Sequence, residues 1–271
     1  MITASIVLYH HDAMEIRRLM NCILAEPVDK LYLIDNSLND RLRNLIKESE
    51  RIRYIHSVNL GYGAGHNIAL REAMGEGAAY HVVVNPDIYF EQGTLVKLAD
   101  YMNRHPRVGL VMPKVFYPDG EIQYLCKLLP TPFDLIGRRF ITCKKLIEKA
   151  NRRYELRFAD YDREMRVPSL SGCFMFLRMD VIRQTGGFDE RYFMYAEDLD
   201  LCRRIGDVAE TVYFPSAVVY HAYEKGSYKN MRLLKYHICS VIKYFNKWGW
   251  FFDSERRKRN RRSLALLSKQ K

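Results

Sequence analysis

Residues 81–87 read His81-Val82-Val83-Val84-Asn85-Pro86-Asp87, and this stretch decides the fold class. Three consecutive β-branched valines predict a buried strand, and Pro86, which has no N–H to give a sheet ladder, marks its end. Asp87 is then expected at the carboxyl end of a central strand, where ligands of open α/β sheets bind.

The pattern repeats on either side. Short β-type runs at Ala4–Tyr9, Lys30–Ile34, Tyr54–Ser57 and Gly109–Met112 alternate with helical stretches at Met14–Leu24, Asn39–Glu50, Ile68–Met74 and Glu91–Arg104. Such alternation predicts βαβ units around a Rossmann-like, mostly parallel sheet flanked by helices. Past the turn Pro118-Asp119-Gly120, the stretch from Lys127 to Arg166 is mixed and basic, either a pair of surface helices or a flap on the acceptor side. Regularity returns with a strand over Gly172–Arg178, a helix over Met179–Thr185 stopped by Gly186-Gly187, and a helix over Leu199–Ile205.

With 271 residues, 48% of them hydrophobic, the chain can bury a full core, so disorder is excluded as its default state. Six cysteines form no Cys-x-x-Cys pair and the N-terminus carries no signal-peptide pattern, so a reduced, cytoplasmic protein is expected. Of the 43 basic and 32 acidic groups, 14 and 3 lie from Glu224 onwards, leaving 29 of each in residues 1–223. The net charge of +11 therefore belongs to the C-terminal segment, and the expected division is a catalytic domain over 1–223 and a basic extension over 224–271.

Several residues invite chemical roles. A carboxylate such as Asp87 is a hard oxygen ligand suited to Mg²⁺ or Mn²⁺ bridging two phosphates, although the same tripeptide also suits a plain turn. Asp35 follows another strand and either accepts hydrogen bonds from a base or ribose or caps a helix. The segment Asn59 to Asn67 carries glycines at 61, 63 and 65, which suits either a nucleotide wall using Asn59 and Asn67 or a flexible turn. It departs from Gly-x-Gly-x-x-Gly at Ile68, which argues against a dinucleotide-dependent dehydrogenase. Glu197, Asp198 and Asp200 open a helix, where acids suit the positive end of the dipole and where one of them also suits a general base. Gly172 and Gly186-Gly187 leave room for a sugar nearby. His221 is a further metal ligand, a diphosphate contact or a packed histidine, and His10-His11 lacks matching ligand spacing.

The order of Asp35, the Asn59–Asn67 segment, Asn85-Pro86-Asp87, Ser171-Gly172-Cys173, Gly186-Gly187-Phe188-Asp189-Glu190 and Glu197-Asp198-Leu199-Asp200-Leu201-Cys202-Arg203-Arg204 resembles family 2 glycosyltransferases, in particular their bacterial rhamnosyltransferase-like branch. The resemblance spans about residues 3–223. It implies a GT-A fold, an inverting reaction and a divalent metal, with Asp198 as catalytic base and Asp87 as metal-binding acid, beside which His221 is the candidate second metal ligand. Tyr9, Asp35, Asn59, Gly61, Asn67, Asn85 and Asp87 would contact the nucleotide sugar, and Glu197, Asp200 and Gly172 would support the acceptor or active site. Asn85 departs from the Asp-x-Asp pattern, leaving one carboxylate where two are common.

Between Met231 and Phe252, apolar residues recur at close to helical spacing, interrupted by Lys235, Lys243 and Lys247, and a block from Arg256 to Arg262 follows. An amphipathic basic helix beside Trp248, Trp250, Phe251 and Phe252 suits an anionic membrane surface, and a transmembrane span is not expected. The competing reading packs this helix on the catalytic domain. The resemblance implies a nucleotide-sugar donor, dTDP-rhamnose or a UDP-sugar, and together with the tail it implies a lipid-linked glycan acceptor of bacterial surface polysaccharide (O-antigen or capsule) synthesis and a peripheral place on the inner face of the cell membrane. A nucleic-acid- or membrane-binding module without transferase activity is the alternative of a different class, but no nucleic-acid motif accompanies the charge.

Overall fold

The computed structural model describes residues 1–137, 143–222 and 231–269; the boundary expected at 223/224 lies outside them. The chain runs through β1 (Ile2–Leu8), α1 (Ala13–Leu24), β2 (Lys30–Asp35), a 3₁₀ turn (Arg43–Glu48), β3 (Ile52–His56), α2 (Tyr62–Gly75), β4 (Tyr80–Val84), β5 (Ile88–Tyr89), α3 (Thr94–Arg104) and β6 (Val108–Phe116). It continues with β7 (Cys126–Lys127), α4 (Pro132–Leu135), α5 (Lys144–Tyr154), β8 (Met165–Arg166), β9 (Ser169–Leu170), β10 (Phe174–Arg178), α6 (Met179–Thr185), α7 (Glu197–Val208) and β11 (Glu210–His221). Two further helices, α8 (Met231–Trp248) and α9 (Ser254–Ser268), follow.

The main sheet has the order β3-β2-β1-β4-β10-β6-β11-β5, with β8 also on β11. Strands β1 to β4 are mutually parallel, β10 is antiparallel to both β4 and β6, and β11 runs parallel to β6. The sheet is mixed and mostly parallel, as expected. Near-continuous apolar runs suit strands covered on both faces: all five residues of β4 are buried. One core packs α1 and α3 on the first face through Ile16, Leu19, Leu98 and Met102; the other packs α2, α6 and α7 through Leu70, Ile182, Leu201 and Ile205.

The chain leaves β1 towards β2 and β3 and then crosses back to β4 on the opposite side of β1. The carboxyl ends of β1 and β4 therefore flank a topological switch point, the crevice where open α/β sheets take ligands. Asp12 fixes the loop after β1, accepting the Met14 N–H while Glu15 reaches back to the Asp12 N–H in a capping box.

Three local expectations change. The helix expected over Asn39–Glu50 is only a 3₁₀ turn, since Leu42 and Leu45 alone are buried there. The Asn59–Asn67 segment is not a loop throughout: α2 begins at Tyr62, and its glycines serve packing. A Cβ on Gly63 would meet Phe188 Cβ at 2.8 Å, and one on Gly65 would meet Val7 Cγ2 at 2.8 Å. The C-terminal stretch is two helices meeting at a corner, and both pack on the sheet-bearing body. Val241, Tyr244 and Phe245 of α8 form a core with Tyr192, Ala196 and Leu199, while Leu267 of α9 joins the second face of the sheet.

Candidate active site

Asn85 leaves β4 with its backbone N–H bonded to the Cys173 carbonyl, which ties the Asn-Pro-Asp turn to the strand beside it. Asp87, on that turn, lies 3.2 Å from His221 Nε2 at the end of β11. His221 is held from behind by Gln123, whose Nε2 donates to the His221 carbonyl at 2.8 Å and whose Oε1 lies 3.0 Å from Nδ1. Burial opposes charge on His221, but the Cys173 thiol and the Asp87 carboxylate outweigh it and raise its pKa to about 10.

The Tyr62 hydroxyl, at the start of α2, stands 2.8 Å from both the Asn85 amide oxygen and the Gly172 carbonyl, sharing one proton between two acceptors. The Gly172 N–H then donates to Asp198 Oδ2 at 3.0 Å, and Asp198 Oδ1 accepts the Leu199 N–H at 2.8 Å. Asp87 and Asp198, 111 positions apart in the chain, are thus joined through His221, Asn85, Tyr62 and Gly172. Tyr62 is pushed well above the usual phenol range by burial and then by the nearby Glu197, Cys173, Asp198 and Asp87.

Two consecutive non-glycine residues in the left-handed region, Tyr195 (φ 70°) and Ala196 (φ 65°), introduce α7 and its acids. Such backbone costs on the order of 1–3 kcal/mol per residue and persists only where surroundings enforce it. Here the Tyr62 N–H donates to the Phe193 carbonyl, the Ser240 hydroxyl to the Met194 carbonyl, and Lys243 to the Arg191 carbonyl. Gly61 makes room for this loop: with φ 109°, a Cβ there would lie 2.2 Å from Phe193 O. Glu197 is buried, and its Oε2 has no hydrogen-bond partner. Burial first, and the Asp198 charge second, raise its pKa to about 8.

The model of glycosyl transferase family 2 matches residues 5–186. The chain belongs to glycosyl transferase family 2. It is 29% identical, over 260 residues covering 89% of this chain and 82% of the relative, to the N-acetylglucosaminyl-diphospho-decaprenol L-rhamnosyltransferase of Mycobacterium tuberculosis. It is 23% identical over 253 residues, 88% of this chain and 90% of the relative, to the rhamnosyltransferase WbbL of Escherichia coli K12. Among solved structures, GalNAc-T7 with UDP, GalNAc and Mn²⁺ superposes with a TM-score of 0.62 at 12% identity over 89% of this chain, and the Pyrobaculum calidifontis mannosyltransferase PcManGT with GDP-Man and Mn²⁺ with 0.59 at 16% identity over 89%. The chain spans 47% and 64% of those two structures' lengths, and their likeness establishes the GT-A fold.

In this family 2 glycosyltransferase the expected site residues divide into three groups. Asn85, Asp87, His221, Gly172, Glu197 and Asp198 converge as described. Tyr9, Asp35, Asn59 and Gly61 lie where the parallel strands β1 to β3 end. Tyr9 is 46% exposed, Asn59 accepts the Gly61 N–H at 3.1 Å, and Asp35 is fully buried with its oxygens on the Ser37 N–H and the Tyr54 hydroxyl. Asn67 and Asp200 are turned inward. Asn67 is spent on the Gly-Gly-Phe-Asp-Glu turn, donating to the Phe188 carbonyl and Glu190 and accepting the Phe188 N–H. Asp200 lies two positions from Asp198, some 200° around the helix, and is enclosed by Arg204, Lys247 and Trp248 Nε1 at 2.8, 2.7 and 2.8 Å. The room expected for a sugar at the glycines is filled by protein, since a Cβ on Gly172 would meet Asp198 Cβ at 3.1 Å and one on Gly187 would meet Asn67 Oδ1 at 2.2 Å.

Tyr62 and Gln123 are site residues that motif spacing does not mark; each is found only once the sheet brings distant strand ends together. His11, which the sequence offered only weakly, has its pKa lowered by burial, against the charges of Glu15, Asp87 and Asp35 that act to raise it.

The donor set suits a divalent cation. Asp87 Oδ1 is shielded from solvent and has no hydrogen-bond partner, its contact with His221 being within ion-pair range but outside hydrogen-bond geometry. A solvent-shielded carboxylate oxygen with lone pairs to spare fits Mg²⁺ or Mn²⁺, and an ion bound there would take the place of the proton that the raised pKa otherwise keeps on His221. No group of three or more His, Cys, Asp or Glu among the described residues makes a closed cage, so such an ion would draw further oxygens from its ligand.

Proposed function

We propose that this protein is an inverting rhamnosyltransferase that moves L-rhamnose from dTDP-rhamnose to a hydroxyl of a lipid-linked glycan during bacterial surface polysaccharide synthesis, working at the inner face of the cell membrane. The observation that supports the reading is the chain of contacts that runs from Asp87 through His221, Asn85, Tyr62 and Gly172 to Asp198, an ion-pair contact followed by hydrogen bonds, and joins the two acids across one crevice. Sugar and acceptor class are supported by rhamnosyltransferase relatives matching along most of this chain, one of them named for a diphospho-decaprenol substrate.

In the proposed reaction, Asp198 takes the proton of the acceptor hydroxyl as its oxygen attacks the anomeric carbon. The bond from that carbon to the diphosphate breaks on the opposite face, inverting the configuration and releasing the nucleoside diphosphate. Both Asp198 oxygens already accept a backbone N–H, which aims the remaining lone pairs. Asp87 and His221 would hold a divalent cation, which when bound supplies positive charge beside the leaving diphosphate. Tyr9 and Asn59 would line the donor side, with the buried Asp35 behind them, and Glu197 would border the base.

The test is a donor screen by mass spectrometry on wild type and Asp198→Asn. Rhamnosyl transfer by the wild type, lowered about 10²–10⁴-fold in the variant with nucleotide binding unchanged, is expected. Near-normal turnover of Asp198→Asn, or transfer of another sugar alone, overturns the assignment.

A further inference from the structure

The corner between α8 and α9 is built to expose apolar side chains. Phe251 and Phe252 are 72% and 92% exposed. Flexibility does not account for this, because the backbone that carries them is fastened on both sides. Arg256, itself only 5% exposed, donates to the carbonyls of Trp250 and Phe251 at 3.3 Å and of Pro130 at 3.2 Å. On the near side the Gly249 N–H caps α8 on the Phe245 carbonyl; on the far side Asp253 accepts the Arg256 N–H and grips Arg203 with both oxygens. Two benzyl groups are therefore held out in water by a rigid turn.

Next to them, one face of α9 is cationic. Arg257, Lys258, Arg261 and Arg262 line a single shallow groove with Ser254 and Ala265. The carboxylates nearby leave most of this charge free: Glu255 lies near Lys258 and Arg259, and Asp207 pairs with Arg259 on the opposite side of the helix. By contrast, Trp248, which the sequence groups with the membrane-facing aromatics, gives its Nε1–H to Asp200, and Val241 and Phe245 of the α8 stripe are buried in packing while Ile238 and Ile242 stay partly exposed.

We infer that the Phe251–Phe252 corner and the Arg257, Lys258, Arg261 and Arg262 face of α9 form the docking surface for an anionic lipid bilayer, the phenyl rings entering the interface and the cations meeting the headgroups. An apolar wedge beside a basic face binds by both terms at once, the pattern of interfacial membrane proteins. The surface also lies close to the acceptor side of the crevice. Arg203, which the corner grips, is five residues along α7 from Asp198, about 7.5 Å along the axis, so docking would bring the base near the plane where a lipid-linked sugar is presented. This purpose rests on the lipid-linked acceptor proposed above, but the contact itself is read without turnover.

The full chain is floated with phosphatidylglycerol–phosphatidylcholine vesicles and with phosphatidylcholine vesicles alone. Two variants accompany it, Phe251→Ser/Phe252→Ser and Arg257→Gln/Lys258→Gln/Arg261→Gln/Arg262→Gln, each first checked for an unchanged Tm. The expected result is preference for anionic vesicles in the wild type and at least about tenfold weaker partition in both variants, with nucleotide binding intact. Equal flotation of variants and wild type, equal binding to neutral vesicles, or a single-stranded RNA that displaces the vesicles overturns the inference. Failure of donor turnover in the rhamnosyl screen, with flotation as expected, strikes the proposed reaction and leaves the docking surface standing.

Discussion

Glu197 is held against the ordinary behaviour of a carboxylic acid. Buried next to Asp198, it has a folded pKa of about 8 against 4.5 for a free side chain, so the native state keeps a proton that the unfolded chain releases. The stability this proton confers is complete below the unfolded value and is lost as pH rises through the folded one. Glu197→Gln, which keeps the shape without the charge, should therefore match wild type near pH 4.5 and become the more stable protein at about pH 9, by on the order of 1–3 kcal/mol. Thermal unfolding of both proteins across that range checks it; parallel pH profiles would show that Glu197 ionises freely.

At the scale of elements, α8 and α9 fasten the helix that carries those acids. Arg203 and Asp253 form a two-bond ion pair with side chains only 4% and 3% exposed, and the Arg203 guanidinium stacks 4.3 Å from the Trp248 ring. Asp253→Ala strands a buried guanidinium and should cost about 3–5 kcal/mol, whereas Arg203→Met with Asp253→Leu should recover most of it; urea denaturation of the single and double variants is the measurement. What was legible in the sequence follows the same division. Asn85-Pro86-Asp87 announced itself because a proline after a valine run has few other uses, and Glu197-Asp198 because a helix start collects acids. Asn67 and Asp200 carried the same chemistry in one dimension, yet the turn of a helix sends each inward, to the Phe188 backbone and to Trp248. Glycines 63 and 65 are alike in this respect: close approach was foreseeable, but whether to a ligand or to Phe188 and Val7 depends on contacts from distant segments.

Across the whole molecule, the C-terminal segment that holds the entire charge excess is structural as well as basic. Ending the chain before Met231 would uncover Tyr192, Ala196 and Leu199 and take from Asp200 two of its three partners. Such a truncation should aggregate or bind a hydrophobic dye strongly, and size exclusion with circular dichroism checks it; a monomeric, native-like product would mean the segment is detachable. Strand order carries one more consequence. Strand β10 sits between β4 and β6 but is made after both. During synthesis, therefore, a nascent chain that has already emerged through Phe116 holds two adjacent sheet edges with nothing to pair them, and the central gap closes only when residues 174–178 leave the ribosome. Translation speed between those points sets how long the unfinished sheet stays open to chaperones or to its neighbours on a polysome.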